Sequence, residues 1–83
     1  MARSIGMAAD ATVFRAVITK QTRDGETVTT HEGPYGSIGA ARARVSFWVN
    51  YLAEYDDETG ERTGRSRASG YVEHGTVRWE RVP

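Results

Sequence analysis

The residues with the types and spacing for chemistry fall into a few groups. Gly33, Gly36 and Gly39 form a GxxGxxG between a strand-like run and a helix-like run, where backbone amides at a helix start can cradle a phosphate. The spacing is neither the dinucleotide fingerprint nor the P-loop, and no Lys-Ser/Thr pair follows, so these glycines read as turn and cap geometry. Asp56, Asp57, Glu58 and Glu61 offer the oxygen ligands of a divalent cation. Their spacing is not that of a calcium loop and arginines interrupt them, so we read solvated surface and no metal. His31 and His74 have no Ser or Asp at relay spacing. The chain has no cysteine, which removes thiol nucleophiles, thiolate zinc sites and disulfides. We therefore expect no catalytic residue, no enzyme activity and no cofactor.

Two sets of side chains remain as binding candidates. Arg15, Tyr71 and Arg78 combine the guanidinium and ring chemistry of phosphate contact and base stacking, and the same residue types dominate protein interface hot spots. Phe47 and Tyr51 lie one helical turn apart and suit a partner groove or a symmetric homodimer. Charge favours protein over nucleic acid. Eleven basic and 11 acidic side chains cancel across the 83 residues, whereas a domain that lives by nucleic-acid electrostatics carries a basic excess. No apolar run approaches the about 20 residues of a bilayer crossing, and the opening residues lack the apolar stretch of a signal peptide. The expectation is a cytoplasmic protein without a membrane partner, with residues 1–10 as a flexible arm and 11–83 as one domain.

The elements that must position these candidates follow from periodicity and turn chemistry. Residues 11–20, ATVFRAVITK, alternate Phe14, Ala16 and Ile18 against Val13, Arg15 and Val17, a half-buried strand. Asp24-Gly25 supplies the positive-φ pair of a two-residue hairpin turn into the Thr-rich run that follows. With that loop, opposite residues sum to 49 and Ile18 faces His31; a three-residue loop sets Ile18 against Thr30 instead. Ser37 is placed as an N-cap after the Gly-Pro-Tyr-Gly corner. A helix over residues 38–55 then carries the stripe Ile38, Ala41, Val45, Trp48, Val49, Leu52 and Tyr55, widened by Ala40, Phe47 and Tyr51 with Arg44 among them. Residues 56–67, DDETGERTGRSR, contain nothing apolar and read as a solvated loop. His74-Gly75 reads as the turn of a second hairpin, which sets Trp79 over Gly70 and Arg78 opposite Tyr71.

This order predicts an α+β fold, ββαββ, with a four-stranded antiparallel sheet and one long helix packed on one face. Phe14, Ile18, Val72, Val77 and Trp79 would be buried against Val45, Trp48 and Leu52. Val13, Arg15, Val17, Tyr71, Arg78 and Val82 would form the open face.

The run EGPYGSIGAARA, the helix and polar loop after it, and the closing SGYVEHGTVRWERV resemble small proteins of actinobacterial phages and their hosts. That resemblance implies a cytoplasmic accessory protein acting by binding a host factor, and it brings no active-site residues with it. The Gly-Pro-Tyr corner and helix are also similar to the strand-and-helix DNA-binding domain of phage integrases and plant AP2 factors. Those domains read DNA from a basic three-stranded sheet, and this sequence departs from them in its expected second hairpin and its neutral charge. The function expected is thus a non-enzymatic interaction module for a partner protein; the alternative is a nucleic-acid-binding protein using the open sheet face.

Overall fold

A computed structural model describes residues 11–83, and the arm expected over residues 1–10 lies outside the described residues. Strands β1 (Thr12–Gln21) and β2 (Thr27–Tyr35) lead into helix α1 (Ile38–Tyr51), followed by β3 (Ala53–Tyr55), β4 (Arg62–Ser66) and β5 (Ala68–Thr76). The fold is α+β with antiparallel sheets. Its strands divide as a three-stranded sheet of order β2-β1-β5 and a separate two-stranded ribbon, β3-β4, which corrects the expectation of a single four-stranded sheet.

The correction starts at His74-Gly75, where the chain does not turn. The glycines with positive φ are Gly25, Gly33, Gly60 and Gly64; Gly75 is an ordinary strand residue paired with Val13. β5 keeps unbroken register with β1 from Ala68 opposite Lys20 to Thr76 opposite Thr12. A turn at residue 74 would strand the backbone groups of the first half of β1, which must find partners if they are not to lose a hydrogen bond. Continuing satisfies them, and Val77 N–H still donates to the Ala11 carbonyl at 3.0 Å. Trp79 consequently lies beyond the sheet, 65% exposed, and the space over Gly70 is taken by Val45 from α1.

The first hairpin adopts the three-residue loop. Arg23, Asp24 and Gly25 (φ +85°) are closed by Thr22 N–H to the Glu26 carbonyl at 2.8 Å and Gly25 N–H to the Thr22 carbonyl at 3.0 Å, so Ile18 faces Thr30 and Val17 faces His31. Near its far end the register slips between Phe14 and Ala16, with Gly33-Pro34 as the extra length on β2, a bulge of the kind that bends a strand and increases its twist. Only glycine fits there: a Cβ on Gly33, whose φ is +146°, would meet the Phe14 carbonyl oxygen at 3.0 Å.

Ser37 caps α1 as expected, its Oγ accepting from Ala40 N–H at 3.2 Å. Ser37→Ala removes that acceptor and should cost about 1 kcal/mol, read as a lower midpoint in a urea titration with unchanged slope. The helix stops at Tyr51, four residues before the end expected at Tyr55, because the chain is pulled into the ribbon: Ser66 Oγ donates to the Val49 carbonyl at 2.8 Å and Arg67 N–H to the Leu52 carbonyl at 3.0 Å. Both bonds answer carbonyls that a helix end leaves open. The polar run expected as loop is therefore partly β4, and its turn is organised by Asp56, whose Oδ1 accepts from Glu58 and Thr59 N–H at 2.8 and 2.9 Å. These amide donors hold the Asp56 carboxyl below its ordinary value.

Ala16 and Ile18 on one side of β1, with Ala41 and Ala68, form the buried centre beneath the helix; Val17, on the other side, is buried too. Phe14, Val72 and Val77 are half-buried.

Candidate functional site

Glu32 is the residue around which α1 is seated. It lies opposite Ala16, hence on the helix side of the sheet, and is half-buried. Its Oε1 accepts from Arg44 Nε and its Oε2 from Trp48 Nε1, each at 2.7 Å. Burial alone would raise the Glu32 pKa. The bonds from Arg44 and Trp48, with the nearby charges of Arg44 and Lys20, outweigh it and hold the carboxyl below its ordinary value. Lys20 Nζ caps the Trp48 ring at 3.5 Å from its centroid, a cation–π contact.

This anchored pair carries the aromatic flank. Arg44 Cζ lies 4.7 Å from the Phe47 ring centroid. Phe47 and Tyr51 stack nearly parallel, 5.7 Å apart at 8°. Trp48 meets both edge-on, at 5.3 Å from Phe47 and 5.7 Å from Tyr51, within the geometry favoured by ring quadrupoles. The stack faces outward, with Phe47 47% and Tyr51 69% exposed. Of the two sets of candidates, this one is brought together as the spacing predicts.

The sheet-face set is split. Arg15 and Tyr71 share the face away from the helix, with Val13 and Val17. Arg78 lies past the end of β5, so the cross-strand pair of Tyr71 and Arg78 does not form; Tyr71 is opposite Val17 instead. Arg15 is engaged by the residue directly across from it, Arg15 Nε to Glu73 Oε1 at 2.7 Å. A guanidinium already answered by a carboxylate is a poor phosphate receptor, and Val82, like Arg78, lies beyond the strands.

A cleft of about 670 Å³ opens where the bulge and the end of β5 meet, lined among others by Val13, Arg15, His31, Pro34, Glu73 and His74. It collects both histidines, but His31 pairs with Val17 and His74 with Phe14, which places the rings on opposite sides of the sheet. Among the described residues no group of three or more His, Asp or Glu side chains is placed to hold a metal ion, and no helix is long and apolar enough to cross a membrane.

Glu32 and its two bonds were not foreseen from the sequence. The signal was present in Arg44 and Trp48, spaced to share one helix face, together with an acid at the end of the preceding strand. It surfaces only in the three-residue-loop register. The chain matches no family model, no curated protein and no solved structure.

Proposed function

We propose that this chain is a non-enzymatic interaction module that grips a partner protein through the Phe47–Tyr51 flank of α1. In the setting its resemblance implies, it is an accessory protein of an actinobacterial phage or its host, acting on a host factor in the cytoplasm. One observation carries the reading: two stacked, outward-facing rings whose orientation is fixed from below by the Glu32–Arg44–Trp48 bonds. Rigid aromatic side chains beside an arginine are the residue types that dominate interface energetics, and fixing them beforehand lowers the ordering cost of binding. Glu32, held ionised by its partners, is poorly suited to proton transfer near neutral pH.

The test compares affinity capture from host lysate by the wild-type chain and by Phe47→Ala/Tyr51→Ser, with circular dichroism confirming that the double variant is folded. Each truncated hot-spot ring should cost about 2 kcal/mol, roughly 30-fold in Kd. A specific partner held by the wild type and released by the variant is the expected result. Equal capture by both chains sinks the reading. Retention on DNA or RNA that falls steeply with salt and disappears on Arg15→Ala also sinks it, because phosphate binding at the sheet face would be operating instead.

A further inference from the structure

The outer edge of β5, at one side of the order β2-β1-β5, carries a row of unmet backbone groups. Gln21 N–H donates to the Arg67 carbonyl at 2.8 Å and Val77 N–H to the Ala11 carbonyl at 3.0 Å, and both pairs continue the β1–β5 register. Hydrogen-bonded pairs alternate along an antiparallel ladder. Ser69, Tyr71, Glu73 and Gly75 therefore bond inward to β1, and Ala68, Gly70, Val72, His74 and Thr76 turn their N–H and C=O groups outward. Ser66 Oγ accepts from the Ala68 N–H. The outward groups of Gly70, Val72, His74 and Thr76 find no partner among the described residues.

Sheet edges of this length are normally blunted by Lys, Pro, a bulge or a covering element. β2, at the opposite edge, has Pro34 and the bulge. Among the described residues β5 has none of these: its sequence is ASGYVEHGT and its pairing with β1 is unbroken. Meanwhile the buried apolar centre consists of Ala16, Val17, Ile18, Ala41 and Ala68, in which isoleucine is the one large side chain. Domains this small commonly complete their stability by association.

We propose that β5 pairs antiparallel with β5 of a second copy, joining two three-stranded sheets into one continuous sheet of six. The occupant and the register follow from the strand itself. Val72 is the middle residue of Ala68–Thr76 and its backbone groups point outward, so a twofold axis at Val72 uses the full strand and makes hydrogen-bonded pairs of Val72 with its own copy and of Gly70 with His74. In this register His74 lies beside Gly70 and Thr76 beside Ala68, a larger side chain against a small one in each pair. Tyr71 lies across from the copy's Glu73, which gives the phenol an acceptor and keeps like charges apart. Shifting the axis to Glu73 sets carboxylate on carboxylate, a destabilising pair. The same axis puts both helices on one face. Because Arg44 and Trp48 reach toward β2, the flank of α1 turned toward the neighbour is that of Ile38, Arg42, Ser46 and Val49, on which Ile38 is 41% exposed. This surface is separate from the Phe47–Tyr51 flank and does not depend on the function proposed for it.

Size-exclusion chromatography with light scattering on the full chain tests it, with three variants. Wild type should run as a dimer at micromolar concentration. His74→Pro removes an outward N–H without touching the β1 ladder, a position at which an edge strand tolerates proline, and should weaken the dimer at least about 100-fold while circular dichroism stays unchanged. Tyr71→Glu should split the dimer by facing Glu73, whereas Tyr71→Arg should keep it. In a chain without cysteine, Val72→Cys should cross-link to itself on mild oxidation, since partners in a hydrogen-bonded pair sit about 5.5 Å apart, and Ser69→Cys should not. A wild-type monomer at millimolar concentration overturns the proposal, as does a dimer that survives in folded His74→Pro. A dimer lost in Phe47→Ala/Tyr51→Ser but kept in His74→Pro overturns it too and transfers self-association to the helix flank.

Discussion

Gly70→Val is expected to lower the thermal midpoint by about 15 °C or to prevent folding altogether. A Cβ at this position would stand 2.6 Å from the Val17 carbonyl oxygen and 3.2 and 3.4 Å from the two methyls of Val45. The methyl contacts can relax by a few tenths of an ångström. The carbonyl cannot, because it belongs to the central strand, whose residues pair on both sides, and moving it breaks ladder bonds in two directions. Valine adds two methyls where α1 already rests, so either the helix lifts from β5 or the strands part. Overpacking of this kind costs about 3 kcal/mol, and a domain of this size loses about 4–8 °C per kcal/mol. Gly75→Ala supplies the control: it lies in the same strand, its added Cβ meets nothing within 4 Å, and its midpoint should stay within about 2 °C of wild type. Adding Val45→Ala to Gly70→Val should recover only a minor part of the loss. Full rescue would assign the close fit to the side chain and contradict the role given to the Val17 carbonyl.

The same glycine marks where the sequence could be read and where it could not. Gly70 stands out as a backbone position that another group covers, and the pattern points to Trp79 as that group because His74-Gly75 looks like a hairpin turn. Local turn chemistry lost to a long-range demand: β1 needs partners along its whole length, and β5 supplies them only by running straight through. Strand pairing between residues as far apart as Thr12 and Thr76, or Lys20 and Ala68, leaves no local mark in a sequence. The helix was legible because its signals are local, from the Ser37 cap to the 3.6-residue stripe, and so was the Phe47–Tyr51 flank that rides on it. The β3–β4 ribbon was not, since its residues are almost all exposed and hydrophobic periodicity reports burial, not hydrogen bonding.

The first hairpin shows how much one residue of register decides. With opposite residues summing to 49, Glu32 falls across from Val17 on the open face; in the observed register it falls across from Ala16 under the helix. The anchor of the candidate site was thus hidden by a choice between a two-residue and a three-residue loop. The structure resolves it by placing Arg23 in the loop and leaving Gly25 as its one positive-φ residue.

That anchor carries the second large effect. Glu32→Gln keeps the shape of the side chain but leaves the Arg44 guanidinium without its counter-charge and weakens the bond from Trp48, for a loss of about 1–2 kcal/mol. The lower figure applies because Arg44 retains 36% side-chain exposure and water can take over part of the interaction. The pH dependence distinguishes this from a packing defect. The Glu32 pKa is depressed in the folded chain, so its stabilisation is fully present above the unfolded value, near the ordinary 4.5, and is lost as pH falls through the folded value. Wild type should therefore lose stability on acidification below about pH 4.5 more steeply than Glu32→Gln, with the two curves converging at the acid end. Asp56 is depressed as well, but it organises an exposed turn, and Asp56→Asn should leave the global midpoint nearly unchanged. In a Trp79→Phe background, where Trp48 is the sole indole, Glu32→Gln should also shift the fluorescence maximum to longer wavelength as the ring loses its carboxylate and its fixed position. Parallel pH profiles for wild type and Glu32→Gln, or an unmoved Trp48 emission, would remove Glu32 as the anchor and with it the reason for the Phe47–Tyr51 stack to hold one orientation before a partner arrives.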